Sequence, residues 1–149
     1  MANPDQALWE RNLARYRVAA AMVQAEWSFG PSFTEEEKLR TVRGIAEHRF
    51  GSNARAMADD ESRTEILAAV RRVEAANDAA YYTCVVPHFD AGVALIRTPA
   101  PNLEAVLTKI AIANEDRLHS VANEDAFPRE ELFAIIQSEL RTFGAEVGL

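Results

Sequence analysis

The sequence predicts an all-α protein, a bundle of about five helices with antiparallel neighbours and one helix kinked at Pro87. Three observations predict it. Apolar residues recur at intervals of three and four in each long segment, caps and stop signals separate those segments, and no stretch shows the strict apolar and polar alternation of a half-buried strand. The 149 residues match the commonest domain size, so a single helical domain over 1–149 is expected, long enough to bury ~70% of the surface its unfolded chain exposes.

Asn3-Pro4-Asp5-Gln6 starts the first helix. Asn3 is its cap, Pro4 fits the first helical position because its missing N–H has no partner there, and Asp5 faces the positive end of the dipole. Gly30-Pro31 stops it. Trp9, Leu13, Tyr16, Ala20, Val23 and Trp27 follow at intervals of 4, 3, 4, 3 and 4, which places them on one stripe. The 18 residues from Trp9 to Trp27 are five turns, so both rings share a bearing about 27 Å apart. Ala14, Val18, Ala21 and Ala25 form a second, small-residue stripe about 100° round the helix. This helix therefore has two faces to bury.

Thr34 followed by Glu35, Glu36 and Glu37 reads as a capping box opening the second helix, which ends near Phe50-Gly51. Leu39, Val42, Ile45, Ala46 and Phe50 keep helical spacing, and Gly44 weakens the segment by about 1 kcal/mol relative to Ala. Ser52 to Asp60 reads as a loop leading to the next cap. Ile66, Val70, Val73, Asn77, Ala80 and Cys84 then repeat the 4, 3, 4, 3, 4 spacing with a polar Asn77 in the seam, a device that fixes register or oligomer state.

Pro87 kinks or ends that helix, and Ala91 to Arg97 continues in a new direction. Thr98 to Asn102, with Pro99 and Pro101, is a rigid turn. Leu103, Val106, Leu107, Ile110 and Leu118 make the fourth helix, with Asn102 as cap and Glu104 in its first turn. After an acidic loop at Asn123-Glu124-Asp125, the last helix opens at Pro128 to Glu131 and presents Leu132, Phe133, Ile136, Leu140 and Phe143 before Gly144 ends it.

Sixteen Lys and Arg against 23 Asp and Glu give a formal net charge of -7. An acidic chain is a poor general ligand for DNA or anionic membrane, both of which are polyanions. Six Gly and six Pro among 48% apolar residues exclude collagen-like and disordered classes. A single cysteine, Cys84, allows no intrachain disulfide and fits a reducing cytosol. Met1 to Gln6 lacks the features of a signal peptide, and no uncharged stretch reaches the roughly 20 residues of a membrane helix, so a cytoplasmic protein without membrane contact is expected.

The Trp9 to Tyr16 start of the first helix, the segment TPAPNLEAVLTKI from Thr98 to Ile110, and a closing helix ending near Phe143 give the chain a likeness to a known group. It resembles short helical proteins of alphaproteobacteria, especially sphingomonad-like ones, often found near prophage-like genes. The chain departs from that pattern where Asn102 replaces an acidic residue, where Pro87 interrupts the helix before the turn, and where Pro31 to Asp60 is added. The resemblance implies a helical fold and a bacterial or phage origin, and it carries over no catalytic residues.

Candidate chemistry is sparse. Asp116-Arg117-Leu118-His119 approximates one Glu-x-x-His half of a di-metal bundle site, so Asp116 and His119 are weak metal candidates, without a second copy of the motif. His88, beside Pro87 and near Asp90, reads as a local hydrogen-bond partner. Cys84, between apolar neighbours, reads as inert core. No phosphate loop, zinc cluster or nucleophile elbow is present, and no cofactor is expected. Lys38, Arg40, Arg43, Arg49 and Arg55 face only Glu47 between positions 38 and 55, a local basic patch able to meet phosphates or to serve as a solvated helix face.

Three functions are left in order. The first is a non-enzymatic helical interaction or self-assembling protein, docking a protein partner or a second copy through Trp9, Leu13, Tyr16, Val23, Trp27 and Asn77. The second is a nucleic-acid-associated regulator using the 38–55 segment. The third is a metal-dependent helical-bundle enzyme.

Overall fold

The spacing of apolar residues and the caps between them produce helices along almost the whole chain. The computed structural model describes residues 4–118 and 126–148. Helices α1 (Pro4–Phe29), α2 (Pro31–Phe50), α3 (Asn53–Ala58), α4 (Asp60–Ala80), α5 (Val86–Arg97), α6 (Leu103–Glu115) and α7 (Arg129–Glu146) follow in order, with a π turn, Tyr81–Val85, joining α4 to α5. No strand occurs among the described residues. With α4, the π turn and α5 taken as one run, the protein is an all-α bundle of five long helices and the short α3. The Asn3 cap and the acidic loop at Asn123-Glu124-Asp125 lie outside the described residues.

Several boundaries differ from those the sequence suggests, each for a local reason. Helix α2 starts at Pro31, not at a Thr34 capping box. Gly30 is its N-cap without a side-chain bond, and the Thr34 N–H is already used on Gly30 O at 3.0 Å. The junction is held by Glu26, whose main-chain oxygen accepts from Gly30 N–H at 2.9 Å and whose carboxylate accepts from Ser32 N–H at 3.1 Å. A Cβ at position 30 would fall 2.7 Å from that same main-chain oxygen. The expected loop at 52–60 contains α3, because Ser52 Oγ accepts from Arg55 N–H at 3.2 Å and caps Asn53-Ala54-Arg55-Ala56. Gly144 does not end α7, which continues to Glu146.

Other signals are borne out. Asn102 caps α6 through Ala105 N–H at 2.9 Å. Asp59, within the segment read as a loop, caps α4 through Ser62 N–H at 3.0 Å. The Ser62 N–H holds the Asp59 carboxyl below the usual carboxylate range, with Arg49 and Arg63 nearby. Gly51 closes α2 at φ 84, a left-handed conformation that costs glycine nothing.

Pro87 acts on the turn before it. Its ring cannot accept a normal α-helical carbonyl four residues back, and its nitrogen donates nothing. The backbone widens instead, with Val86 N–H bonding Tyr81 O in a five-residue step, while Thr83 Oγ1 donates to Ala79 O at 2.8 Å.

By packing, the chain divides into two compact units, Met1–Ala20 with Pro87–Leu149, and Ala21–Val86. In the first, Trp9 and Tyr16 of α1 join Ala91, Leu95 and Ile96 of α5, Ala105, Ile112 and Ala113 of α6, and Phe127 and Leu132 in one core. The turn after α5 is fixed by its own bonds. Thr98 Oγ1 donates to Ala94 O and accepts from Asn12 Nδ2, each at 2.7 Å, and Ala100 N–H reaches Glu139 Oε1 at 3.0 Å. In the second unit α2 and α4 pack together with α3 against both, around Ala46, Ala56 and Ile66, with Leu39, Phe50 and Val70 at the edge.

Candidate interaction surface

Five of the six residues predicted to form an interaction face lie on α1, and Asn77 lies on α4. Trp9 and Tyr16 are buried in the core of the first unit, with Leu13 packed against them. Within the second unit Val23 is half-buried and Trp27 is 46% exposed. Asn77 is half-buried, and its Oδ1 has no hydrogen-bond partner. Trp9, Leu13 and Tyr16 are therefore taken by the core of the first unit, and Trp27 alone of the six is exposed.

The other stripe on α1 turns outward. Ala14, Ala21 and Ala25 are exposed, Val18 is 61% exposed and Phe29 is 85% exposed, with Met22 exposed among them. Arg11 and Arg15 are exposed near its N-terminal end. None of these residues of the second stripe belongs to the core of its own unit.

Three polar groups meet where α6 ends. Asp116 is the C-cap of α6, a place where the helix dipole disfavours a carboxylate. The Tyr16 hydroxyl donates to Asp116 Oδ2, and His88 Nε2 lies 3.3 Å from the same oxygen without an aligned hydrogen bond. The Tyr16 and His88 ring centroids are 5.2 Å apart. Burial, reinforced by the Asp116 carboxylate, pushes the Tyr16 hydroxyl well above the usual tyrosine range. Tyr16 is therefore a fixed donor that keeps its proton, and the trio ties α1, α5 and the end of α6 together.

A second polar group in the core is absent from the sequence reading. Lys109 is fully buried, pairs with Glu139 Oε1 at 2.6 Å and lies 5.7 Å from the Trp9 ring centroid. Burial lowers its ammonium pKa and Glu139 opposes that shift. A signal was present: Lys109 stands four residues after Ala105 and three before Ile112, on the side of α6 that faces the core.

The metal candidates do not assemble among the described residues. His119 lies outside them, and Asp116 is engaged by Tyr16 and His88. No group of three or more His, Cys, Asp or Glu side chains is placed to hold a metal ion among the described residues. Cys84 is buried, its Sγ 3.6 Å from Thr83 Oγ1.

The basic segment is interleaved with acids. Lys38 pairs with Glu35 at 3.3 Å, Arg40 pairs with Glu37, and Arg49 lies over the Phe50 ring at 5.3 Å. Arg43 and Arg55 are exposed, and Arg40 and Arg43 line a cleft of about 440 Å³ together with Glu36 and Glu47. A phosphate entering it would meet carboxylates as well as guanidinium groups.

Comparison with known proteins finds no matching family model, no similar curated protein and no similar solved structure. Among the described residues no helix is long and apolar enough to cross a membrane.

Proposed function

We propose that this chain is a non-enzymatic helical interaction protein, in a bacterial and phage or mobile-element setting, that docks a helical protein partner along the outward stripe of α1. The exposed run of Met22, Ala25 and Phe29 in the second unit carries this reading. Its intervals of 3 and 4 are those by which one helix buries anchors against another. The opposite side of α1 is already committed, through Trp9, Leu13 and Tyr16, to the protein's own core.

Native mass measurement on protein taken from its own host cells tests the reading. The expected species exceeds the 16.5 kDa of the bare chain. Combined Met22→Glu and Phe29→Glu substitution should remove the mass contributed by the partner protein, with an unchanged helical circular dichroism spectrum. A bare chain as the sole species at cellular abundance, before any substitution, would overturn it.

A further inference from the structure

A second apolar face lies within the first unit, on the hairpin of α6 and α7. Helix α6 begins beside Glu139, which accepts from Ala100 N–H, and ends beside Phe127, whose N–H donates to Leu118 O at 2.7 Å. The two helices are therefore antiparallel neighbours. Leu103, Leu107, Ile110 and Asn114 are spaced 4, 3 and 4 on α6, while Phe133, Ile136 and Leu140 are spaced 3 and 4 on α7. Leu107 is 55% and Phe133 64% exposed, and Leu103 and Leu140 are also exposed. The core takes Ala105, Lys109 and Ile112 from the other side of α6, and from α7 it takes Leu132, with Ile136 packed against it at the inner edge of the stripe. Between the two stripes is a cleft of about 410 Å³ lined by Asn114, Arg129, Leu132, Phe133 and Ile136. A projecting ring and a hollow thus sit side by side on one face.

We propose that a second copy of this chain covers this face, two α6–α7 hairpins packing across a two-fold axis with Phe133 of each copy seated in the hollow of the other. An isologous interface needs a surface complementary to itself, and a knob beside its own socket meets that need. The rim charges agree. Exposed Glu104 and Arg141 stand at one end of the hairpin, and exposed Glu115, Arg129 and Glu130 at the other. Both signs at both ends let a rotated copy meet opposite charges, where a rim of one sign would repel it.

The area agrees as well. Four large exposed side chains with half-buried Ile110 and Ile136 present on the order of 500 Å² per copy, at the upper end of what a monomer leaves in one patch. A pair would cover about 1,000 Å² in total, near the lower bound for a specific interface and suited to a reversible dimer of micromolar strength. This face is on different helices from the α1 stripe and does not depend on it.

Sedimentation of the full chain from low to several hundred micromolar concentration tests the proposal. The expected behaviour is a reversible monomer–dimer equilibrium. Leu107→Glu and Phe133→Glu should each weaken it at least about 30-fold, the effect of losing a central anchor, while the circular dichroism spectrum and urea midpoint stay unchanged. Phe133→Ala, a milder change on an exposed site, should weaken it in the same direction. Met22→Glu with Phe29→Glu should leave it intact. A chain that stays monomeric over the whole range overturns the proposal, as does a dimer indifferent to Leu107→Glu and Phe133→Glu. A dimer lost only on substitution of Met22 and Phe29 overturns it too, and leaves the α1 reading standing.

Discussion

Lys109 Nζ lies 2.6 Å from Glu139 Oε1, and no part of the Lys109 side chain reaches water. The same Glu139 oxygen accepts from Ala100 N–H at 3.0 Å, so one carboxylate joins α6, α7 and the turn after α5. A pair of this kind gains little over apolar packing while both members are present, yet removing one strands the other.

Lys109→Met alone is therefore expected to lower unfolding free energy by about 3 kcal/mol, because Glu139 keeps a poorly solvated charge. Adding Glu139→Gln should recover more than half of that loss, since Gln still accepts from Ala100 N–H and carries no charge. Urea unfolding of the two variants followed by circular dichroism measures both steps. No recovery in the double variant would mean that the ion pair itself, and not the stranded charge, sets the cost.

Sequence reading reached the helices because their causes are local. Asn102 announces a start by its side-chain chemistry, Gly51 announces a stop by its conformational freedom, and Pro87 announces a disturbance by its ring. Helix α3 was missed because six residues give too short a window for periodicity, although Ser52 was there to cap it. On α1 two stripes were visible and nothing local says which one a core will take. That choice belongs to the helices that pack against Trp9 and Tyr16, and it decided which residues remain available to a partner. Lys109 was hidden by its charge, since a lysine on the inner side of a helix is compatible with burial only when a distant carboxylate, here 30 residues on, comes to meet it.

Tyr16 predicts a specific alkaline response. Its folded-state pKa lies above the ordinary value of about 10, so the folded protein holds that proton more tightly than the unfolded chain does. The associated stability is fully present below about pH 10 and is lost as the pH rises beyond it. Tyr16→Phe should cost about 2 kcal/mol near neutrality, where a bond to a charged acceptor is lost, and should flatten the decline above pH 10. Chemical denaturation on both sides of pH 10 compares the two slopes. Equal slopes would remove Tyr16 as their source.

Gly44 stands in the interior of α2 with no atom within 4 Å of where a Cβ would be. Gly44→Ala should stabilise the protein by roughly 0.5 to 1 kcal/mol, because alanine loses less backbone freedom on folding and meets nothing. A raised urea midpoint with an unchanged slope is the expected result.

Asn102→Ala removes the side-chain acceptor at the start of α6 and should cost about 1 kcal/mol. Asn102→Asp keeps the acceptor and adds a charge favoured by the helix dipole, so it should be at least as stable as the parent. Thermal unfolding of the pair separates the cap from general effects of the turn. A harmless alanine would show that Pro101 and the Glu139 contact hold the turn without it.

Gly30 carries a consequence for descent. Its backbone, at φ -81 and ψ -178, is open to any residue, so the restriction is one of space and not of conformation. The space is taken first by the Glu26 carboxylate and, behind it, by the peptide oxygen of position 26 at 2.7 Å, which every amino acid supplies, so exchange of the glutamate relieves only part of the clash. In a descendant that keeps this corner between α1 and α2, glycine is therefore the residue expected at position 30, however far the exposed surface of α1 has changed.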